Sequence, residues 1–314
     1  MALAFVFPGH GSYMVGMLDS LSSRREVRDT LEEASDALGK DVGKMIAEDP
    51  TESFSLLPTA APAMLTAGVA CYRAWEASTE HRPSIVAGHS HGEYSALVAS
   101  GVLSFKDAIK AVHYRATLMQ EVEGTMAVVI GLGAYKVMDL CANARNETGK
   151  VVEAVNFNAP GQVLISGERE AVELTMSTAM ASGAKLTRVL DLAVPAHSSL
   201  LRPVSAKLHE YFKDIEFHAP MIPIINNVDV AILNNPTAIK DAMARQVSRP
   251  VRWQEIIKSM SSQGIKQVVE CGPGKILHEL TPWIDKSLHS MSFMDEPTLH
   301  AVIQTLKPID TAVE

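Results

Sequence analysis

The chain has 314 residues, 47% of them hydrophobic, which is enough to bury the core of one large domain or of a domain with an insert. Its formal net charge of −8 is spread without long runs of either sign, which argues against nucleic acid or an anionic membrane surface as a partner. The three cysteines are far apart and form no CxxC pair, which favours reduced thiols in the cytoplasm over disulfides or a zinc site. No apolar run approaches the ~20 residues of a membrane span.

Short apolar runs alternate with helical patterns in the first 120 residues. The periodicity predicts strands at 3–7 and 84–88, and helices near 24–38, near 61–77, after Ser90 and across 105–120. Such alternation is typical of an α/β fold with a parallel sheet flanked by helices.

The next segment has a different order of elements. It predicts a β-α-β-β-α-β unit, with strands at 125–132, 151–157, 162–166 and 185–191 and helices at 134–146 and 168–182. That order suggests a small ferredoxin-like subdomain inserted into a larger domain. The α/β pattern then returns, with strands predicted at 222–226 and 267–270 and helices near 236–247 and 253–263. We therefore expect residues 1–123 and 193–314 to form one discontinuous domain and residues 124–192 to form the subdomain.

The most informative motif follows the second predicted strand. Residues 88–93 are Gly-His-Ser-His-Gly-Glu, directly after the apolar run 85–87. A serine between glycines on a strand-to-helix turn stands exposed at the end of the strand, above the amino end of the helix. The pattern favours Ser90 as a nucleophile, with a plain turn residue or helix N-cap as the alternative.

A serine nucleophile needs a base, and His197 is the most suggestive of the eleven histidines because it follows a predicted strand end. Considered alone, a loop histidine that is hydrogen-bonded to solvent is the commoner alternative. His89 and His91 flank Ser90, but neighbours in such a turn point away from the hydroxyl. We interpret both as packing or entrance residues.

Two further features could take part in a site around Ser90. Gly9 and Gly11 lie just past the first predicted strand and would let a main-chain N–H approach a bound oxygen, as in an oxyanion hole. The alternative is a plain glycine-rich turn, and the third glycine of a dinucleotide-binding fingerprint is missing. Composition alone favours a solvent-exposed Arg115. If Arg115 instead points at Ser90, its planar guanidinium is suited to binding a carboxylate of the substrate.

Eight motifs in order match one family pattern. They are FPGxGS at 7–12, GHSxGEY at 88–94, Arg115 followed by Met119-Gln120, NFNxPGQ at 156–162, PxH at 195–197, NNVD at 226–229, RQ at 245–246 with PVxW at 250–253, and ExGPGK at 270–275. The chain resembles the malonyl-CoA:acyl-carrier-protein transacylases of type II fatty acid synthesis and the related acyltransferases of polyketide assembly lines. The likeness runs from about residue 3 to residue 300.

This resemblance implies a hydrolase-like α/β core and a ferredoxin-like subdomain, with the active site between them. It implies that Ser90 takes malonyl from the coenzyme A thioester as an ester and passes it to the phosphopantetheine thiol of acyl carrier protein. His197 would accept the proton of Ser90 and return it to the leaving thiol. A main-chain carbonyl orients the family's histidine where this chain has Gln246, so we expect no Asp to complete a triad. Removing the Gln246 side chain should therefore cost less activity than removing that of His197.

The resemblance implies the remaining site residues as well. Arg115 would bind the free carboxylate of malonyl, and the N–H groups of His91 and His10 would hold the oxyanion. Further substrate-binding positions carried over from the family are Asn158, Ala61 and Ala196. The reaction implies no metal or redox cofactor, since coenzyme A is part of the substrate and phosphopantetheine belongs to the carrier protein.

Four positions depart from the commonest family pattern. His10 and Tyr13 stand where glutamines are usual, Ala61 replaces another glutamine, and His91 replaces an aliphatic residue. The changes remove three amides and add two imidazoles near the acyl group. One hypothesis is a specialised trans-acting acyltransferase of a polyketide pathway with an altered extender unit, for which the small Ala196 leaves room.

Two other functions remain open. An acyl-thioester hydrolase would use the same Ser-His pair, but a carboxylate clamp at Arg115 favours a loader of dicarboxylic units. A non-catalytic docking subunit is disfavoured because Ser90, His197 and Arg115 are all present. We expect a monomer that binds an acidic carrier protein through a basic surface, for which the candidates are Lys185, Arg188, Lys275 and Lys286.

Overall fold

The computed structural model describes residues 2–49 and 53–306. Its strands are β1 Leu3–Phe7, β2 Ile85–Gly88, β3 Thr125–Ile130, β4 Val152–Ala159, β5 Gln162–Gly167, β6 Leu186–Val189, β7 Gln267–Cys271 and β8 His289–Phe293. Its α-helices are α1 Arg25–Leu38, α2 Val42–Glu48, α3 Leu57–Ser78, α4 Gly92–Ala99, α5 Phe105–Gln120, α6 Ala134–Thr148, α7 Arg169–Ala181, α8 Arg202–Tyr211, α9 Pro236–Gln246, α10 Trp253–Ser262, α11 Ile276–Ile284 and α12 Glu296–Thr305.

The first sheet is parallel and has the strand order β2-β1-β7-β8. All five residues of β1 are buried, because side chains that alternate along the strand pack against helices on both faces. Phe5 and Phe7 pack in the cluster that contains α3 and α5, whereas Ala4 and Val6 pack with residues of α10 and α11. The sheet is therefore covered on both faces, and Pro8 and His89 follow directly after the carboxyl ends of β1 and β2.

The second sheet is antiparallel, with the order β4-β5-β3-β6. On one face, Ala127 and Ile165 pack against α6 and α7. On the other face, Met126 and Val155 belong to the same cluster as the helices of the first sheet. The expected α/β fold with a parallel sheet flanked by helices and a second small sheet is therefore confirmed.

One predicted strand is wrong. Residues 222–226 form only isolated bridges: Ile224 pairs with Val86 in parallel, and Ile225 pairs with Ile232 in antiparallel orientation. Two main-chain hydrogen bonds join the segment to β2, from Val86 N to the Pro223 oxygen at 2.8 Å and from Ile225 N to the Val86 oxygen at 3.0 Å. The segment cannot extend as a strand because Pro223 has no N–H and a turn begins at Asn226.

The sequence periodicity does not predict α2, α8, α11, α12 or β8. Of these, α2 has seven residues and β8 has five, and segments as short as these give a weak periodic signal. The helix predicted at 61–77 begins earlier, at Leu57, because Pro58 occupies the first turn, where a missing N–H costs nothing. Among the described residues, no helix is both long and apolar enough to cross a membrane.

Candidate active site

The turn between β2 and α4 carries Ser90 and can be built only with glycines at its ends. A Cβ at Gly88 would lie 2.1 Å from the carbonyl carbon of Gly92, and a Cβ at Gly92 would lie 2.4 Å from the main-chain oxygen of Phe7. Ser90 itself has a φ of 55°, in the left-handed region that residues with a side chain rarely adopt. Such strain of about 1–3 kcal/mol persists only where surrounding contacts impose it.

The structure brings Ser90 and His197 together. Ser90 Oγ lies 2.7 Å from Nε2 of His197, although the two residues are 107 positions apart. Nδ1 of His197 lies 2.9 Å from the main-chain oxygen of Gln246 and 3.2 Å from that of Arg249. Because carbonyl oxygens can only accept, the proton of the neutral imidazole sits on Nδ1. The lone pair of Nε2 therefore faces the hydroxyl of Ser90, as a general base requires.

The environment of His197 keeps its imidazole neutral. Burial and then the positive charge of Arg115 lower the pKa of His197 to about 3, against opposing hydrogen bonds to the carbonyls of Gln246 and Arg249. At neutral pH the ring is therefore in the form that can accept a proton.

Arg115 is buried, so the solvent-exposed position favoured by composition is wrong. Its side chain is only 2% exposed, and burial lowers the pKa of its guanidinium. One terminal nitrogen donates to Oε1 of Gln246 at 3.4 Å, and Nε has no hydrogen-bond partner in the described part of the chain. No carboxylate of the described residues forms an ion pair with it. A buried guanidinium with unused donors is suited to a bound anion.

A second buried network lies behind Ser90. Nε2 of Gln246 donates to the Ser90 carbonyl at 2.8 Å and to Oε2 of Glu93 at 2.6 Å. The N–H of Ser90 donates to Oδ1 of Asn227 at 2.8 Å. Burial raises the pKa of Glu93 to about 8, and hydrogen bonds from Gln246 and Asn227 oppose that rise. Glu93 and Asn227 lie in the GHSxGEY and NNVD motifs, but neither motif by itself indicates these hydrogen bonds, because the partners are far apart in the chain.

Two main-chain N–H groups beside Ser90 are unused. Among the described residues, neither His91 N nor His10 N has a hydrogen-bond partner. The segment after β1 lies against the turn, since a Cβ at Gly9 would be 2.5 Å from the main-chain oxygen of His89. Free N–H groups at this edge could stabilise an oxyanion.

The imidazoles of His10 and His91 are also unpartnered. Nδ1 of His10 and Nε2 of His91 are buried and have no hydrogen-bond partner among the described residues. Burial lowers the pKa of His10 to about 4, and burial together with the charge of Arg115 places the pKa of His91 well below its ordinary value. Both rings are neutral at neutral pH and retain hydrogen-bonding capacity.

The remaining candidate residues lie in three places. Asn158, near the end of β4, bonds through Oδ1 to Nε2 of His89 at 2.8 Å, which ties the second sheet to the turn. His89 is a packing residue whose ring meets that of Trp253 at a centroid distance of 5.4 Å. Ala61 is buried in α3, and Ala196 is buried directly before His197. In the described part of the chain, no group of three His, Cys, Asp or Glu side chains could hold a metal ion.

Comparisons with known proteins show which family the chain belongs to. The family model described as an acyl transferase domain matches residues 4–303. The malonyl CoA-acyl carrier protein transacylase of Escherichia coli strain K12 is 44% identical over 303 residues, covering 95% of this chain and 97% of that protein. The transacylase of the same description from Bacillus subtilis strain 168 is 36% identical over 310 residues, covering 97% of each chain.

Solved structures of the same family are similar to this chain over nearly its whole length. An acyl-carrier-protein S-malonyltransferase from Burkholderia pseudomallei 1710b superposes with a TM-score of 0.94 at 47% identity, covering 97% of this chain and 100% of that one. A malonyl-transacylase in complex with a type II polyketide synthase acyl-carrier protein superposes with a TM-score of 0.95 at 40% identity, covering 98% and 100%. With this coverage and a Ser-His pair at the sheet edge, the chain belongs to the acyl transferase family that includes the malonyl CoA-acyl carrier protein transacylases.

Proposed function

We propose that this protein transfers a malonyl group from coenzyme A to the phosphopantetheine thiol of an acyl carrier protein, through an ester on Ser90. One observation carries the proposal: a Ser-His pair at 2.7 Å lies in the same buried site as an arginine that forms no ion pair among the described residues. The similarity to transacylases over nearly the whole chain supports the same reaction.

The proposed mechanism has two half-reactions. In the first, Nε2 of His197 takes the proton of Ser90 while Oγ attacks the thioester carbonyl, and the N–H groups of His91 and His10 hold the oxyanion. When the carbonyl reforms, the C–S bond breaks and the coenzyme A sulfur takes the proton from the imidazolium. In the second, His197 deprotonates the phosphopantetheine thiol, the thiolate attacks the ester, and Ser90 regains its proton. No metal or redox cofactor enters these steps.

We propose that Arg115 binds the free carboxylate of malonyl. The guanidinium is buried and its Nε is unpartnered, so a carboxylate would gain charge-assisted hydrogen bonds in a water-poor site. Hydrogen bonds to a charged group contribute about 1.5–3 kcal/mol each. An acetyl group has no carboxylate, so Arg115 would select dicarboxylic acyl groups.

Acyl carrier protein is the proposed partner, because a transacylase of the same fold has been solved with its carrier protein. Among the basic residues named above, Arg188 lies on the edge strand β6, whereas Lys275 already pairs with Glu279 at 3.1 Å. We expect Arg188→Glu to weaken transfer to the carrier protein and leave Ser90 acylation by malonyl-CoA unchanged. Transfer at the original rate would remove Arg188 from the docking surface.

A second candidate is a polyketide acyltransferase with an altered acyl unit. The buried, unpartnered imidazole nitrogens of His10 and His91 favour it, because they add hydrogen-bonding groups near Ser90. Equal or better acylation by a substituted malonyl-CoA would support this candidate. Turnover with malonyl-CoA alone, together with rescue of a strain lacking its own transacylase, would refute it.

We also propose the domain boundaries and the cellular location of the protein. The second sheet draws all its strands from residues 125–189, which supports residues 124–192 as the subdomain and residues 1–123 and 193–314 as the catalytic domain. The last eight residues of that domain, 307–314, lie outside the described residues.

The free cysteines Cys71, Cys141 and Cys271 are all buried, which supports a reducing, cytoplasmic location.

The first test is to incubate the purified protein with malonyl-, methylmalonyl- or acetyl-CoA and to measure the mass of the intact chain. We expect a malonyl adduct that is absent in Ser90→Ala, is greatly reduced in Arg115→Ala, and moves onto added holo-acyl carrier protein. Rapid loss of every acyl group to water without carrier protein would instead indicate a hydrolase. An unmodified wild-type chain with all three thioesters would refute both.

A further inference from the structure

The turn that carries Ser90 is held by one side chain from a distant part of the chain. Oδ1 of Asn227 accepts from Ser90 N at 2.8 Å, and Nδ2 of Asn227 donates to the Gly88 carbonyl at 2.6 Å. Asn227 is completely buried. Its amide therefore bridges the two main-chain groups on either side of His89, within the turn itself.

These two hydrogen bonds act where the backbone is strained. Ser90 has a φ of 55°, and a left-handed conformation costs a residue with a Cβ roughly 1–2 kcal/mol. Without the bridge, the N–H of Ser90 would lose the hydrogen bond to Asn227 that fixes its direction. A relaxed turn would move Oγ away from Nε2 of His197, which now lies 2.7 Å from it.

Asn227 is itself held in place by buried groups. Its N–H faces Oε2 of Glu93 at 3.4 Å, and the same carboxyl oxygen accepts from Nε2 of Gln246 at 2.6 Å. Gln246 also donates to the Ser90 carbonyl at 2.8 Å. The N–H and the C=O of Ser90 are therefore both bonded to buried side chains that lie far along the chain, at 227 and 246.

The bridge also decides which N–H groups remain for an oxyanion. Because the N–H of Ser90 is bonded to Asn227, it cannot serve a developing negative charge. The next N–H in the chain, that of His91, has no partner among the described residues, and its direction follows from the turn that Asn227 holds. A shift of about 1 Å in such a group can cost about 100-fold in rate.

We propose that Asn227 is the positioning residue of the nucleophile: it holds Ser90 in the left-handed conformation that presents Oγ to His197 and leaves the next N–H free. Among the described residues it forms no hydrogen bond with His197, so it acts through the main chain of the turn, at Gly88 and Ser90. This inference rests on the proposed function for the identity of the acyl donor but not for the reactivity of Ser90.

The neighbouring residue provides a matched control. Asn226 is also an asparagine and also buried, at 5% exposure. Its Oδ1 accepts from Val228 N at 3.1 Å and Asp229 N at 2.7 Å, and its Nδ2 donates to the Ala231 carbonyl at 2.9 Å. All these contacts lie within its own turn, so Asn226→Ala should reduce stability without moving Ser90.

The experiment measures single-turnover acylation of Ser90 by malonyl-CoA over a range of concentrations, for the wild type, Asn227→Ala, Asn227→Asp and Asn226→Ala. Rates are normalised to the folded fraction from circular dichroism. We expect Asn227→Ala to lower the maximal rate about 100-fold with little change in the half-saturating concentration. Asn227→Asp has the same shape and keeps the acceptor for Ser90 N–H, so its rate should be intermediate.

Two outcomes would overturn the proposal. One is a maximal rate within threefold of the wild type for both Asn227 variants. The other is an equal loss in Asn226→Ala, which would show that disruption of the turn at 226–231 is sufficient. A fluorophosphonate, which phosphonylates a reactive serine with loss of fluoride, is used on the same four proteins. If malonyl-CoA acylates none of them, the proposed function fails, and the phosphonylation rates still decide the role of Asn227.

Discussion

Replacing Gln246 by alanine separates two roles of this residue, because only the side chain is removed. The main-chain oxygen that lies 2.9 Å from Nδ1 of His197 remains in place. The lost contacts are those of Nε2 with the Ser90 carbonyl at 2.8 Å and with Glu93 Oε2 at 2.6 Å, and that of Oε1 with a terminal nitrogen of Arg115 at 3.4 Å. We therefore expect Gln246→Ala to cost more in stability than in chemistry, and His197→Ala to do the reverse.

The contacts that remain after the Gln246→Ala substitution determine how much stability and acylation rate are lost. The Ser90 carbonyl keeps a second partner, Glu93 N at 3.1 Å, whereas the Glu93 carboxyl keeps only the longer contact of 3.4 Å from Asn227 N. A buried polar group that loses its partner costs about 1–3 kcal/mol, and the removed atoms leave a cavity. We expect Gln246→Ala to lower the free energy of unfolding by about 2–4 kcal/mol and the acylation rate about tenfold. Loss of the base in His197→Ala should lower that rate about 1000-fold.

The assay combines urea unfolding, followed by circular dichroism, with single-turnover acylation measured by intact mass. Gln263→Ala is the control, because that glutamine is exposed at the end of α10 and should change the free energy of unfolding by less than about 0.5 kcal/mol. Equal losses of acylation rate in Gln246→Ala and His197→Ala, per folded molecule, would refute the reasoning. The Gln246 side chain would then belong to the catalytic machinery.

Three further predictions concern charge, selectivity and the turn. Because burial lowers the pKa of His197 from 6.5 to about 3, the fluorophosphonate reactivity of Ser90 should be lost on acidification only below pH 6.5. Arg115→Met removes a nearby positive charge, so the loss of reactivity should move to higher pH in this variant. An unchanged pH profile would contradict the contribution of Arg115 to the pKa of His197. Arg115→Ala should slow acylation by malonyl-CoA about 100-fold and by acetyl-CoA less than threefold, and equal slowing would disprove the carboxylate clamp. Gly92→Ala should prevent folding, because its Cβ would lie 2.4 Å from the main-chain oxygen of Phe7. The control is Gly133→Ala, whose added Cβ would have no atom within 4 Å and which should fold normally. Circular dichroism of the two variants checks this prediction.

Much of the fold follows from local patterns in the sequence. The apolar run of β1 and the Gly-x-Ser-x-Gly turn between β2 and α4 are contained in a few neighbouring residues, so periodicity and glycine placement are sufficient to predict them. Residues 222–226 show where this fails. They are as apolar as a strand, but Pro223 and the turn at Asn226 limit them to two isolated bridges, to Val86 and to Ile232.

Some residues of the candidate site can likewise be predicted from the sequence, and others cannot. A motif and a resemblance point to Ser90, His197, Arg115 and the Gln246 carbonyl, but composition places Arg115 in solvent, whereas the structure buries it at 2% exposure. The contribution of Asn227 carries no local signal at all, because its partners, Ser90 N and Gly88 O, lie more than 130 positions away.

By itself, the sequence determined the strand, the turn and the helix that carry the nucleophile, because these depend on side-chain alternation and on glycines a few residues apart. Only the tertiary structure shows that Nε2 of His197 lies 2.7 Å from Ser90 Oγ, that burial and the charge of Arg115 lower the pKa of His197, and that an asparagine from a distant turn bonds to the main chain of the nucleophile. These properties depend on distance, dielectric environment and hydrogen-bond direction between segments far apart in the chain, which exist only once the two sheets have packed together.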